Sequence, residues 1–377
     1  MTETVKGIAL AGAGLFILLN FLMGVTLTLV WLERKLLGRL QSRFGPTRVG
    51  PFGLLQPVAD AIKLLTKEDV APSWSDKLIF WVSPILVYVP TFMVWLTIPW
   101  ARNLVVQNLD MGLFFIVSFS VLSVVGIVTA GWSSASKYAT LGGLRSAAQL
   151  ISYEIPIIMV ALSIAMLTQS MDLRHIADAQ TFTTETPDGS VWAHVPFAVV
   201  MPLGLLIFII AGLAEVGRTP FDIYFAESEI VGGPFVEYSG AHWAVFFLAE
   251  YINTFLVGAL VALLFLGGWH GPILPGFIWF GIKIYAVIMV IFWVRGTFPR
   301  LRIDQLMAFG WKALVPLSFV NLVLVAVQLY YGLPWWTLTL SNLAVLGVAA
   351  YVLYQTMTAP ARRTALEAQT YYQRGGA

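Results

Sequence analysis

The sequence predicts an all-α integral membrane protein with about nine transmembrane helices. Of 377 residues, 58% are hydrophobic and 11% are charged, against roughly 25% charged in soluble domains. A β-barrel would show ~10-residue segments of alternating hydrophobicity. The chain has continuous apolar runs instead, which suit helices because a helix satisfies its own backbone polar groups. The runs approach the ~20 residues that cross a hydrocarbon core, and they occupy residues 8–32, 78–99, 112–132, 147–167, 195–215, 241–266, 276–296, 313–332 and 335–357.

The positions of Lys and Arg predict that the N-terminus lies outside and the C-terminus inside, because basic residues are retained on the cytoplasmic side. Eight of them lie in the first inner connection, residues 33–77, and the other inner connections and the tail bring the inner total to eighteen of 22. Lys6, Arg102 and Arg174 fall outside, and Lys283 lies within a span. The first span has no basic n-region and no small-residue cleavage site, so we expect it to be retained.

Several classes of function are excluded by composition and motifs. The polar connections are too short to build a separate core, so we expect residues 1–377 to form a single membrane domain. A formal net charge of +2 does not suggest nucleic-acid binding. The chain has no cysteine, so it cannot ligate an iron-sulfur cluster or form a disulfide, and it has no nucleotide-binding loop. Any redox chemistry must therefore be supplied by other polypeptides.

The first inner connection predicts an amphipathic helix that lies in the membrane surface on the cytoplasmic side. Its apolar residues recur at near-helical spacing and are Leu54, Leu55, Val58, Ile62 and Leu65. Turn-forming residues bend the chain before it, namely Gly45, Pro46, Gly50, Pro51 and Gly53. Two interpretations stay open at this point. The segment is either a doorway for a lipid-soluble ligand or an interfacial anchor without a ligand.

Charged residues inside the spans are unusual, since each costs ~2.5 to 3.5 kcal/mol on insertion scales. The four in question are Glu154, Glu215, Glu250 and Lys283. On the sixth span, Glu250 shares one face with Asn253, Thr254 and Gly258, which predicts a polar stripe with room for water. A proton path explains this set better than helix packing alone, although a single buried Glu could serve only as a hydrogen-bond partner for a neighbouring helix.

Residues 214–240 read AEVGRTPFDIYFAESEIVGGPFVEYSG and gather five acids in one connection, balanced by Arg218. The acids are Glu215, Asp222, Glu227, Glu229 and Glu237. Carboxylates held close together in a poorly solvated place titrate as a coupled unit, which suits holding or passing protons. A solvated loop with a Glu215–Arg218 ion pair is the alternative, but the interleaved apolar residues favour a half-buried loop.

Two functions from different classes fit these observations. One is a proton-translocating or ligand-binding membrane subunit of a redox complex, and the other is a stand-alone proton-coupled transporter. Transporters often show repeated halves with broken helices at matching positions, and the sequence has no convincing internal repeat. Its acids also crowd the cytoplasmic half, which suits communication with a cytoplasmic partner.

Long motifs, spread in order over most of the chain, resemble one family. The chain is similar to the H-subunit family of bacterial respiratory complex I, NADH:quinone oxidoreductase, the counterpart of mitochondrial subunit 1. The motifs are ERKLLGRLQSRFGPTRVGPFGLLQPVADAIKLLTKED at 33–69, AGWSSASKY at 130–138, LRSAAQLISYEIP at 144–156, the stretch at 214–240, and RGTFPRLRIDQLMAFGWK at 295–312.

The resemblance implies that the chain forms the membrane-facing part of a quinone chamber and couples quinone reduction to proton translocation. The positions that it assigns to the quinone chamber are Arg34, Arg43, Asp60, Lys63, Arg218, Asp222 and Arg295. The positions that it assigns to the proton relay are Glu154, Glu215, Glu227, Glu229 and Glu250. Glu33 and Glu237 match acidic family positions to which we assign no role.

The resemblance also implies what the chain works with. Quinone is the substrate, FMN and iron-sulfur clusters belong to partner subunits, and this chain alone carries no catalytic residue, cofactor or metal. Expected partners are the peripheral-arm quinone-module subunits and the other membrane-arm subunits, in a bacterial cytoplasmic (inner) membrane. The same role in a complex fed by ferredoxin or another donor, and a stand-alone transporter, stay as alternatives.

The chain departs from the family pattern at two positions. Phe225 stands where the first Glu of P-F-D-x-x-E-x-E-x-E is expected, and Gly217 replaces the usual Asn of E-x-N-R. The first relay position of the family pattern therefore has no carboxylate in this chain. The last span and the tail, residues 335–377, carry no predicted function.

Overall fold

The computed structural model describes residues 3–180, 195–223 and 227–374, with side chains described for 12–180, 195–223 and 229–355. Its described residues form helices, joined by turns and longer connections, and no β-strand. In chain order the helices are α1 Glu3–Leu40, α2 Gln56–Thr66, α3 Lys77–Val94, α4 Gly112–Ser133, α5 Lys137–Thr168, α6 Leu173–Asp178, α7 Phe197–Val200, α8 Pro202–Val216, α9 Glu227–Ile230, α10 Gly240–Phe265, α11 Gly276–Thr297, α12 Ile303–Phe309, α13 Val315–Tyr331 and α14 Trp335–Arg374.

Eight helical segments in the described chain are long and apolar enough to cross a membrane, which confirms the predicted all-α membrane fold. The eighth predicted span extends over α12 and α13, joined through a π-helical turn at Gly310–Leu314. The fifth predicted span, 195–215, is instead divided into α7 and α8, and α8 has only 15 residues. Pro202 begins α8 and lacks the N–H that would continue a helix from α7.

The predicted surface helix is present as α2. The chain turns into it through a 3₁₀ turn at Pro51–Gly53, where Gly53 adopts a positive φ of 77°. A Cβ at this position would lie 2.2 Å from the carbonyl oxygen of Pro46, so the turn requires glycine. The apolar face stays uncovered by the rest of the chain, as suits a helix in the membrane surface, and its exposed residues are Leu54, Leu55, Val58, Ile62 and Leu65.

Helix α10 lies at the centre of the fold. Nearly all of its residues from Tyr251 to Phe265 are buried, and it packs against α1, α3, α8 and α11. Small residues let the helices approach closely: Gly212 of α8 contacts Val257, and Gly258 contacts Ile284 and Ile288 of α11. The outer neighbours are α4 and α5, which pack on α3 and α8, with α13 against α5. This arrangement surrounds the buried part of α10 with other helices.

A 3₁₀ turn at Gly233–Phe235 packs against α5 and fixes the position of Phe235. The contact is made by glycine on both sides, because a Cβ on Gly142 would lie 2.6 Å from the backbone carbon atoms of Gly233. Backbone atoms cannot move aside as a flexible side chain could. The turn and α5 therefore depend on each other for their positions.

We expect Gly142→Ala to destabilise the protein by about 1–3 kcal/mol, the usual cost of overpacking a filled interior. Gly24→Ala is the matched control, because no atom lies within 4 Å of a Cβ built at that helical glycine. Thermal unfolding of the purified protein in detergent measures the difference. Equal unfolding midpoints for the two variants would contradict the contact.

Candidate functional site

A cavity of about 740 Å³ lies between the segment that follows α8, the start of α10 and the end of α11. Aromatic side chains form much of its wall: Phe235, Tyr238, Trp243, Phe247 and Tyr251. The charged side chains that reach it are Arg218, Asp222, Glu250, Arg295 and Arg300. Aromatic and charged side chains that converge on one cavity are typical of a ligand-binding site. We refer to this cavity as the chamber.

Arg218 enters the chamber because α8 ends just before it. Gly217 adopts the left-handed conformation, with φ 68°, and the N–H groups of Gly217 and Arg218 donate to the carbonyls of Ala214 and Leu213. This is a glycine C-cap. The cap turns the chain so that the Arg218 side chain is buried, with 4% of its surface exposed. Its guanidinium lies 4.5 Å from the centre of the Tyr251 ring.

Glu33 of α1 accepts contacts from three sides and holds the chamber wall together. Its carboxylate is 3% exposed. The hydroxyl of Tyr251 donates to Oε2 at 2.7 Å, and the guanidinium of Arg295 donates to Oε1. A nitrogen of Arg218 lies 3.7 Å from the same Oε1. One carboxylate therefore joins α1, the end of α8, α10 and α11.

Glu154, Glu215 and Glu250 meet at a second, smaller cavity of about 40 Å³. One water needs ~10–15 Å³, so this cavity has room for a few waters. Glu154 of α5 also accepts a hydrogen bond from Ser120 at 2.9 Å. An adjoining cavity of about 40 Å³, lined mainly by apolar side chains, shares Glu215 and Asn253 with it. The structure thus brings together three of the predicted relay carboxylates.

Glu250 connects the two sites. Glu250 lines both the chamber and the smaller cavity that contains Glu154 and Glu215, as does Phe235. Its carboxylate Oε1 lies 3.1 Å from the guanidinium of Arg218. Arg218 therefore stands between two carboxylates, Glu250 and Glu33. A charge change in the chamber acts at close range on an acid that also faces the smaller cavity.

The chamber residues predicted in the first inner connection lie apart from the cavity. Arg34 forms an ion pair with Asp60 of α2 at 2.5 Å, and Gln56 donates to the other oxygen of Asp60 at 3.2 Å. The ion pair holds α2 against α1, and the Gln56 contact lies within α2. Arg43 contacts Gln41, and Arg43 and Lys63 are both exposed. All four predicted residues thus lie on the surface of the first inner connection, outside the lining of the chamber.

The other predicted relay acids fall in different surroundings. Glu229 pairs with Arg145 of α5 at 2.7 Å and lies 3.5 Å from Arg300, so it fastens the acidic stretch to two neighbouring elements. The side chain of Glu227 and the whole of Phe225 lie outside the described residues. Glu237, to which no role was assigned, is partly buried and is not part of the lining of either cavity.

Lys283 and two residues of the predicted polar stripe on α10 make structural contacts and do not line the smaller cavity. The Lys283 ammonium donates to the carbonyls of Leu266, Gly268 and His270, at 2.6, 2.9 and 2.8 Å. It thereby caps the end of α10 and does not join the carboxylates. Of the stripe, Asn253 lines the smaller cavity beside Glu250. Thr254 instead donates to the carbonyl of Glu250, and Gly258 faces α11.

Tyr238 contributes a neutral polar group to the chamber wall. Burial raises the pKa of its phenol above the ordinary value, and hydrogen bonds with Ser133, Ser83 and Ser134 lower it in part. The phenol therefore stays protonated near neutral pH. It donates to the carbonyl of Phe80 at 3.3 Å, and its ring stacks on that of Phe80 with centroids 4.0 Å apart.

Comparison with known proteins connects this geometry to a family. A family model described as NADH dehydrogenase matches residues 13–326. The chain belongs to this family. It is 48% identical over 315 residues to the H subunit of the NADH-quinone oxidoreductase of Dehalococcoides mccartyi strain CBDB1, over 84% of this chain and 86% of that protein. It is 50% identical over 301 residues to the H subunit of the Geobacillus kaustophilus enzyme, over 78% and 86% of the two chains. The resemblance drawn from the motifs is confirmed.

The structure explains one departure from the NADH dehydrogenase family pattern. Gly217 replaces an expected Asn, and it occupies a left-handed C-cap. Glycine and asparagine are the residues that adopt this conformation most readily. The replacement therefore keeps the turn that directs Arg218 into the chamber.

Sequence reasoning missed several residues of the site. It gave Glu33 no role, and it singled out neither Tyr251, Arg145, Arg300 nor Ser120. Arg145 and Arg300 lie within the quoted motifs, so their charge was a usable signal. No sequence pattern distinguishes Tyr251 from the many other aromatic residues, because its contact with Glu33 joins residues 218 positions apart. Among the described residues, no group of three His, Asp or Glu side chains could hold a metal ion.

We expect Glu33→Gln to destabilise the protein by about 3–5 kcal/mol, because it removes the anion shared by the buried Arg218 and the half-buried Arg295. Tyr251→Phe is the matched control, since it removes only the hydroxyl that donates to the same carboxylate, at a cost of about 1.5–3 kcal/mol. Thermal unfolding of the purified protein compares the two variants. The central place of Glu33 would be refuted if its substitution cost no more than that of Tyr251.

Proposed function

We propose that this chain is the H subunit of a proton-translocating NADH:quinone oxidoreductase. In this role it forms the membrane-facing part of the quinone site and couples quinone reduction to proton translocation. The observation that carries the proposal is the position of Glu250, which lines both the chamber and the smaller cavity of carboxylates. Family membership over residues 13–326 supports the same assignment.

The proposed coupling works through charge, because the chain has no cysteine to ligate an iron-sulfur cluster. Reduction of a quinone to the quinol takes up two electrons and two protons. Negative charge that develops in the chamber before protonation attracts Arg218, whose guanidinium cannot deprotonate. Arg218 then interacts less with Glu250, and a less well compensated carboxylate binds a proton more readily. Glu215 and Glu154 in the smaller cavity provide the next positions for that proton.

The remaining residues take roles that fit their surroundings. Asp222 and Arg295 line the chamber with Arg218. Arg34, Asp60, Arg43 and Lys63 lie outside that lining, and in this proposal they belong to the quinone path beside α2. Glu229 and Glu227 belong to the relay in this proposal. FMN and the iron-sulfur clusters are held by partner subunits, and the complex lies in a bacterial cytoplasmic membrane.

Purification of the tagged chain from gently solubilised native membranes tests the assignment. We expect inhibitor-sensitive NADH:quinone reduction together with iron-sulfur signals in electron paramagnetic resonance. Clusters without NADH activity would indicate a complex fed by ferredoxin or another donor. A lone polypeptide with neither property, also in milder detergents, would overturn the proposal and favour a transporter.

We expect Glu250→Gln to assemble but to lose proton pumping, because an amide cannot take up the proton that links the chamber to the smaller cavity. Asp110→Asn is the control, since this exposed acid lies outside both cavities. The measurement is the ratio of translocated protons to oxidised NADH in reconstituted vesicles. An unchanged ratio in Glu250→Gln would remove this residue from the coupling.

A further inference from the structure

A groove of about 340 Å³ lies between α1, the turn before α2 and α11, and it shares no lining residue with the chamber. The two long helices meet on either side of it. Near one end, Thr28 and Tyr285 hydroxyls lie 2.9 Å apart. At the other end, Leu40 packs on Gly296. Between these contacts the groove is lined by residues of α1 on one side and by Met289 of α11 on the other.

One end of the groove is positively charged. Lys35 and Arg39 line it, and the lining includes no acidic residue. In the part of the chain that the structure describes, neither cation has an ion-pair partner, and Lys35 lies 6.0 Å from the centre of the Trp31 ring. Both belong to the end of α1 that the distribution of basic residues places at the cytoplasmic surface. Basic pockets between transmembrane helices on this side bind phosphate headgroups.

Beside the two cations, the groove is lined by exposed apolar side chains. Phe52 is 80% exposed although its backbone adopts a positive φ of 55°, which is uncommon for a bulky residue. The Trp31 indole donates to the Phe52 carbonyl at 3.2 Å and holds it in place. Leu54 and Met289 are also exposed. The turn thus presents apolar side chains directly beside two cations. This arrangement complements a phospholipid, which has an anionic headgroup next to apolar acyl chains.

We propose that this groove binds an anionic phospholipid of the cytoplasmic leaflet. Its phosphate contacts Lys35 and Arg39, and an acyl chain lies along Phe52, Leu54 and Met289. Each basic residue near an anionic membrane surface contributes about a five-fold gain in affinity. Loss of both cations therefore weakens binding about 25-fold.

The test is photo-crosslinking of the purified complex in phosphatidylcholine vesicles that contain phosphatidylglycerol with a photoreactive acyl chain. Peptic peptides of α1 and α11 report the label by mass spectrometry. We expect labelling to fall about 25-fold in the Lys35→Gln/Arg39→Gln variant and to fall strongly in Met289→Trp, whose larger side chain fills the groove. Lys77→Gln, an exposed lysine of the same predicted side, should keep wild-type labelling.

Three results would overturn the proposal. Equal labelling by photoreactive phosphatidylcholine would show that the headgroup charge is not recognised. Unchanged labelling in the double variant would show that Lys35 and Arg39 do not bind the phosphate. Displacement of the label by a short-chain quinone, and not by unlabelled phosphatidylglycerol, would assign the groove to quinone. None of these readouts depends on NADH oxidation, so they separate this proposal from the proposed function.

Discussion

The geometry of the site depends on one buried carboxylate, that of Glu33. A charge buried within a membrane protein is costly unless it is paired and hydrogen-bonded. Glu33 meets both conditions, because Arg295 and Tyr251 donate to it and Arg218 lies within 3.7 Å. These three partners lie on α10, on α11 and at the end of α8, so the cluster joins four elements including α1. The carboxylate therefore sets where α10 and α11 stand relative to α1, and so it sets the width of the chamber between them.

Stability alone does not account for this cluster. Apolar residues of similar volume often replace a buried ion pair without loss, and sometimes with a gain in stability. The chain nevertheless keeps Arg218 between Glu33 and Glu250, and it keeps Glu154 and Glu215 at the smaller cavity. Charges that are expensive to bury and not needed for packing point to a role in function. The exception is Lys283, whose three carbonyl contacts explain its presence structurally.

The sequence predicted most of the helices, because apolar runs of the required length leave few alternatives in a membrane. It did not predict the break between α7 and α8, because proline within an apolar run is tolerated in transmembrane helices, as at Pro84, Pro90 and Pro156 of this chain. The cost of intramembrane acids led us to predict that Glu154, Glu215 and Glu250 act together, and the structure places all three at one cavity. The partners of Glu33 and Glu229 were not predicted, because contacts across 218 and 84 positions leave no local pattern.

Successive residues of α1 show how one helical turn can serve three environments. Each residue of a helix is rotated by about 100° from the one before it. Glu33 consequently faces the buried cluster, Arg34 faces Asp60 on the surface helix, and Lys35 faces the groove toward α11. Trp31 and Arg39 lie four residues before and after Lys35 and share its side of the helix, as i, i+4 spacing requires. The end of α1 thus joins the chamber, the surface helix and the bilayer, and a shift of one residue in its register would disturb all three.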